Sequence, residues 1–379
     1  MNRNILSHYT LLCPGPVNVS SRVADAYSRS ALSHREINFT RLLREVQRDI
    51  LNVAGVNKSD DYSALLITGS GTAANEAVLA SAVAPDKSVI ALSNGEFGER
   101  LTEISQIYNR TIIVRSEWGE ELDLGRLEEH LAEGGSDLVS MVHHETSTGL
   151  LNPVQEVGRL CKRYGVSLLV DGVSSFSADL ISVEEEEITF LTTSSGKAIG
   201  SYPGLSFVIG KHKSFTRIAD YPVRNHYLNL NRYYNFSKKC GQTPNTPAIS
   251  LFASLHAALQ DILTEGLEPR YQRLSTLAAY MRRQLADRNL YFQGVQPQSV
   301  VLTNVLLPEA MSFVDLQNYL RQLGFVIYDA KGPLRGRYFQ VSTIGNISVA
   351  DIDRFLTALD SCLSAKQFPQ PKPLSIKVS

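Results

Sequence analysis

Cysteine is scarce and scattered. The chain of 379 residues has four, Cys13, Cys161, Cys240 and Cys362. No two form a C-x-x-C pair, which argues against a zinc site and a disulfide framework. It fits a reducing compartment, so a cytoplasmic location is expected. An excess of either charge is missing as well. Thirty-seven Lys and Arg stand against 38 Asp and Glu, a formal net charge of −1. No footprint for nucleic acid or an anionic membrane is therefore expected. No apolar run is long enough to span a bilayer, and Met1-Asn2-Arg3-Asn4-Ile5 lacks the apolar core of a signal peptide. What remains is an ordinary 43% of hydrophobic residues, enough for sizeable cores. The length implies two domains.

The first of these domains alternates short apolar runs with amphipathic stretches. Strands are expected at 64–68, 88–92, 111–114, 138–142, 166–170 and 188–192. Helices are expected at 39–54, 73–82, 98–108, 124–131 and 154–164. The run 205–209 follows so closely that it should be an antiparallel neighbour. Almost fully apolar strands in βα units imply an α/β fold with a mostly parallel sheet covered on both faces. The acidic run 184–187 reads as a solvated helix or loop face. From about Pro247 the pattern changes to long helices at 248–263 and 268–287. Strands at 300–307, 325–328 and 338–343 and helices at 312–323 and 349–363 complete a small α+β domain. The division is thus an N-terminal segment plus large domain at 1–246 and a small domain at 247–379. The Lys- and Pro-rich tail after Ala365 should be frayed.

Two strand ends carry the chemistry. One is Leu168-Leu169-Val170-Asp171; the other leads through Thr192-Thr193-Ser194-Ser195-Gly196 to Lys197. In parallel sheets ligands sit outside the carboxyl ends of the strands. Asp and Lys at one edge would suit pyridoxal 5'-phosphate (PLP), which needs a lysine for its imine and an acid at its pyridine nitrogen. Taken alone, Asp171 could equally cap a helix and Lys197 be a solvated surface lysine. Gly69-Ser70-Gly71-Thr72, between strand and helix, would let a phosphate approach helix amides, or it is a plain tight turn. Phe97 beyond the next strand could stack on a flat ring or fill a core. Thr146, in His143-His144-Glu145-Thr146-Ser147-Thr148-Gly149, could hold a ring hydroxyl. A metal set of His143, His144 and Glu145 is disfavoured, because adjacent strand residues point to opposite faces. The conjunction of all five features at one sheet edge is what points to the cofactor.

Along nearly its whole length the chain resembles the class V aminotransferases of fold type I. It is most similar to 2-aminoethylphosphonate–pyruvate aminotransferases, then to alanine–glyoxylate and serine–pyruvate enzymes. The resemblance rests on Pro14-Gly15-Pro16, Gly69-Ser70-Gly71, Ser93-Asn94-Gly95, Gly98 with Arg100, His144-Glu145-Thr146, Thr148 to Pro153, Val170-Asp171, Ser174-Ser175-Phe176, Lys197 and Pro203-Gly204. Gly324 to Tyr328 matches the phosphonate branch. It implies that Lys197 carries the cofactor as an imine and later moves the substrate proton, and that Asp171 pairs with the pyridine nitrogen. Phe97 would stack on the ring, Thr146 would meet its hydroxyl, and Ser70, Gly71 and Thr72 would hold the phosphate. Pro16 and the position of Gln340 would face substrate. Thr243, in Gln242-Thr243-Pro244, resembles a threonine that family members send into the neighbouring subunit, which implies a homodimer with shared active sites.

The sequence also departs from that pattern. Cys240 stands where the alanine–glyoxylate branch has tyrosine, and Gly196 where it has glutamine. Gln340 stands where the family has the arginine that clamps a substrate carboxylate. Arg335 or Arg337 could replace that arginine. The expected activity is PLP-dependent transfer of an amino group from a small amine or amino acid, such as an aminophosphonate, to a 2-oxo acid. The alternative is a PLP-dependent lyase or decarboxylase whose substrate needs no such clamp. A cofactor-binding scaffold without turnover ranks last.

Overall fold

The computed structural model describes residues 9–29, 32–56, 61–309 and 311–365. The Lys- and Pro-rich tail lies outside the described residues. A seven-stranded sheet forms the centre. Its strands are β1 (Tyr62–Thr68), β2 (Ser88–Ser93), β3 (Arg110–Arg115), β4 (Ser136–Val142), β5 (Ser167–Asp171), β6 (Phe190–Ser194) and β7 (Leu205–Lys211). Their order across the sheet is β1-β7-β6-β5-β4-β2-β3. β7 runs antiparallel to both its neighbours, and the other pairings are parallel.

The apolar strands are explained by burial on both sides. Ala64 and Leu66 join one core cluster with Ile90, Val139, Leu168 and Val170. Their alternates Leu65 and Ile67 join another with Val89, Leu138 and Leu169. Period-two alternation therefore separates two covered faces rather than a wet and a dry one. The acidic run, expected as a helix or loop face, forms a turn in which Glu186 is partly buried. Burial, offset by the amide of Ser182 and reinforced by Glu185 and Glu156, pushes its carboxyl up to about 7.

The helix Ile249–Glu265 packs Phe252, Leu255 and Leu259 into the same cluster as Phe39, Leu43 and Val46 of helix Ile37–Val53. A separate cluster lies under the C-terminal elements. It joins Leu277, Met281, Leu316, Phe339 and Phe355 to Leu12 from the other end of the chain. Thr10–Leu11 pairs in parallel with Phe325–Val326. Thr303–Leu306, Tyr338–Val341 and Tyr328–Asp329 form a three-stranded antiparallel sheet. The expected continuous strand 325–328 is thus two short pieces serving two different sheets. The pairing of Thr10–Leu11 also carries the Pro14-Gly15-Pro16 turn to the mouth of the large sheet's edge.

Candidate active site

A cavity of about 590 Å³ opens at the carboxyl ends of the parallel strands. Asp171 ends β5, Thr146 and Phe97 follow β4 and β2, and the Gly69–Thr72 turn follows β1. Lys197 follows β6. Antiparallel β7 enters from this same edge, so Pro203 and Gly204 complete the wall. Pro16, Ser70, Gly71, Thr72, Phe97, Thr146, Asp171 and Lys197 all line the cavity. Thr243 and Gln340 do not line it.

The Asp171 carboxylate is buried and held at both oxygens. Oδ2 accepts from Asn75 Nδ2 at 2.6 Å and Oδ1 from the Val173 amide at 2.8 Å. Asn75 is fixed in turn by the Thr192 hydroxyl, which donates to its Oδ1. Burial pushes the Asp171 carboxyl up; the Val173 amide, Asn75 and the charges of Arg100 and Lys197 draw it back. Burial pulls the Lys197 ammonium down, against the raising influence of Cys13 and Asp171. A Cβ on Gly15 would lie 2.3 Å from Lys197 Cδ, at a φ of +141°. The proline-flanked turn therefore closes directly over the lysine stem, which only glycine permits.

The opposite wall is braced by Glu145. It accepts from the Phe97 amide at 3.1 Å and the Gly98 amide at 3.0 Å, and from the Ser147 hydroxyl at 2.5 Å. Those amides open the helix Glu96–Tyr108, so a buried carboxylate satisfies helix donors that have no partner within the helix. Phe97 is positioned by this brace, and the Arg100 guanidinium lies 4.7 Å from its ring centroid. Thr146 donates to Ser174 Oγ at 2.7 Å. His143 is within 3.0 Å of Ser175 Oγ, whereas His144 lines the cavity. The two therefore face apart.

The model of the aminotransferase class-V family matches residues 17–328. The chain belongs to the class V aminotransferases. Such enzymes use PLP, and this one is a PLP-dependent aminotransferase of fold type I. It is 28% identical to a 2-aminoethylphosphonate–pyruvate transaminase of Phocaeicola vulgatus, over 93% of this chain and 98% of that one. It is 29% identical to an uncharacterized aminotransferase of Methanocaldococcus jannaschii, over 94% of this chain and 93% of that one. The crystal structure of an alanine–glyoxylate aminotransferase from Nostoc sp. superposes with a TM-score of 0.88 at 28% identity, covering 96% of this chain and 97% of that one.

The cavity of this aminotransferase fits PLP. A Cβ on Gly71 would lie 2.4 Å from Val173 Cγ2, so the helix Gly71–Ser81 can begin flush against the cavity only with glycine. Ser70 makes no side-chain cap to that helix, which leaves its hydroxyl to a ligand. Gly196 has a local cause: a Cβ there would lie 2.7 Å from Pro203 Cα, so a glutamine cannot be accommodated. Gln340 reaches inward from the small sheet, and its Nε2 donates to Thr146 O at 3.1 Å and Asn304 Oδ1 at 3.0 Å. Asn304 donates to Ser147 O at 3.2 Å. Arg335 is exposed and 3.6 Å from Asp329, and Arg337 is exposed; neither lines the cavity. Sequence reasoning missed Asn75, Val173, Ser174 and Arg100 as cavity residues, and it weighed His144 only as a metal ligand. The spacing of Asn75, one helical turn past Gly71, was a usable signal.

Proposed function

We propose that this aminotransferase takes its amino group from a small aminophosphonate, an amine with no α-carboxylate, and passes it to a 2-oxo acid. The observation that carries this reading is the engagement of Gln340. Both hydrogens of its amide are committed to Thr146 O and Asn304 Oδ1, so it braces the loop instead of gripping a substrate. Losing a charge-assisted contact to a carboxylate costs about 1.5–3 kcal/mol, roughly ten- to a hundredfold in affinity. The family likeness to named aminoethylphosphonate transaminases supports the same donor class. Arg100 offers the countercharge. It lines the cavity, and its 3.4 Å pair with Glu96 is 39% exposed on the arginine side, so it can be given up at little cost.

Bound PLP supplies a carrier for the amino group and an electron sink. Asp171 holds the proton on the pyridine nitrogen. Lys197, favoured as the neutral amine by burial, is the lysine that would hold the cofactor and carry the proton at the substrate carbon. Phe97 and Val173 would pack the ring and Thr146 would meet its hydroxyl, since all three line the cavity. Ser70, Gly71 and Thr72 hold the phosphate at the helix N-terminus. Pro16 excludes water on the substrate side. With glyoxylate as acceptor, kcat/KM for 2-aminoethylphosphonate should exceed that for alanine by at least about tenfold. Arg100→Gln should abolish that preference, and Gln340→Arg should improve alanine binding. Efficient wild-type transfer from alanine to glyoxylate, worsened by Gln340→Arg, sinks the reading.

Two chains pair and share their sites, with Thr243 serving the partner's phosphate. In support, Thr243 stands outside its own chain's cavity, and its hydroxyl would exchange the 2.9 Å bond to Asn245 O for the partner's phosphate. Sedimentation at working concentration should give a dimer, and Thr243→Ala should loosen PLP. A fully active monomer rules this out.

A further inference from the structure

His144 has no structural occupation. It is 1% exposed, and neither ring nitrogen has a hydrogen-bond partner among the described residues. A neutral imidazole carries one N–H donor and one acceptor. Burying both unpaired costs on the order of 1–3 kcal/mol for each group, and buried polar atoms left unpaired in native proteins call for an explanation. The buried ring nevertheless belongs to the cavity wall. Val142, His144 and Thr146 are alternate residues along one extended stretch, and all three line the cavity, as period-two geometry requires.

The imidazole is also uncharged. Burial, followed by the charges of neighbouring His143, Lys197 across the cavity and Arg282 from the helix Leu267–Asp287, pulls its pKa down to about 3. His144 therefore cannot stand in for the missing guanidinium as a cation. It can only exchange neutral hydrogen bonds with what fills the cavity.

We propose that His144 is a cofactor-contacting residue that donates a hydrogen bond to the ring hydroxyl oxygen of PLP, beside Thr146. This rests on the orientation argued above, with Asp171 at the pyridine nitrogen and Lys197 at the carbon next to the hydroxyl-bearing one. With the phosphate held by Ser70, Gly71 and Thr72 on the other flank of the same cavity, the ring oxygen would lie toward the wall that presents Thr146 and His144. The donor steadies negative charge on the ring oxygen, and does so most when the neighbouring lysine–cofactor bond has lost its proton. Removing the donor should therefore raise the pH at which that bond titrates.

The test is a cycle of dissociation constants for PLP and 3-deoxypyridoxal phosphate, which lacks the hydroxyl, in wild type and His144→Phe. It is accompanied by absorbance titration of the lysine-bound cofactor. Wild type should prefer PLP, and His144→Phe should shrink that preference about tenfold, the factor for one hydrogen bond to a charged oxygen. The titration midpoint should rise by about one pH unit. His144→Asn, which keeps a donor, should lie between; if the phenylalanine variant does not fold, the asparagine variant carries the same cycle. An unchanged preference and midpoint in the variants, with wild type still discriminating, overturns the role of His144 alone. A wild type indifferent to the hydroxyl overturns the cofactor orientation as well, and His144 with it.

Discussion

Borohydride reduction of the holoenzyme should fix the cofactor on Lys197 and on no other lysine, as read by peptide mapping. Lys197→Ala should lower turnover by roughly 10⁴-fold or more, the upper range for removing a positioned proton-transfer group. The reasons are geometric and electrostatic. Lys197 lines the cavity at the end of β6, with the Asp171 carboxylate on the adjacent strand of the same edge. Its amine must be neutral to attack a carbonyl, and burial lowers its affinity for the proton. The Gly15 turn presses on its stem, which fixes where the amine can reach. Gly15→Ala is a milder version of the same lesion, because an added methyl must push the lysine aside. Added methylamine should restore part of the activity of Lys197→Ala if only the proton carrier is missing. A label on another lysine, or an active Lys197→Ala enzyme, removes Lys197 from the chemistry.

Much of this is legible in the sequence alone. The strands of the large sheet are short apolar runs bounded by glycine, asparagine or charge, and that signal survives because each is buried on both faces. Strand ends were legible for the same reason, so Asp171, Thr146 and Lys197 could be assigned to one edge. The antiparallel β7 was legible from the short connection after Lys197. Long-range pairing was not legible. Nothing local tells Thr10–Leu11 to pair with Phe325–Val326, because a two-residue strand has no period. Asn75 was hidden as one polar residue on a helix whose buried face otherwise carries alanine, valine and leucine. Gln340 was legible as a departure but not as a strut, because its partners Thr146 O and Asn304 lie far away in sequence. Glu145 looked like one of a possible metal set, and only the fold shows it bracing the Phe97 and Gly98 amides.

Asp171→Asn should leave PLP bound yet slow exchange of the donor carbon's hydrogen for deuterium by roughly 10²–10⁴-fold, a typical range for a displaced proton. The carboxylate matters for two separable reasons. In the role proposed for it, it would supply the charge that keeps a proton on the pyridine nitrogen, and it is the acceptor on which two donors converge, Asn75 Nδ2 and the Val173 amide. An asparagine offers one acceptor oxygen, so its own NH₂ must face one of those donors. Asn75 cannot simply turn over, because its Oδ1 already accepts from Thr192. Asp171→Glu, which keeps the charge, should recover part of the rate. Stability should respond in the opposite direction. In the cofactor-free protein, burial raises the Asp171 pKa above its usual 3.8. A carboxyl whose pKa is raised by folding binds its proton more tightly when folded. Its contribution is therefore present at low pH and lost as pH climbs from the usual value through the raised one. Asp171→Asn removes that loss, so the apoenzyme's melting temperature should depend less on pH across this window, while bound PLP restores the wild type by pairing the charge. Near wild-type exchange in Asp171→Asn would show that the pyridine nitrogen is served by another group. An apoenzyme whose pH dependence is untouched would show that the buried carboxyl is not the group that titrates.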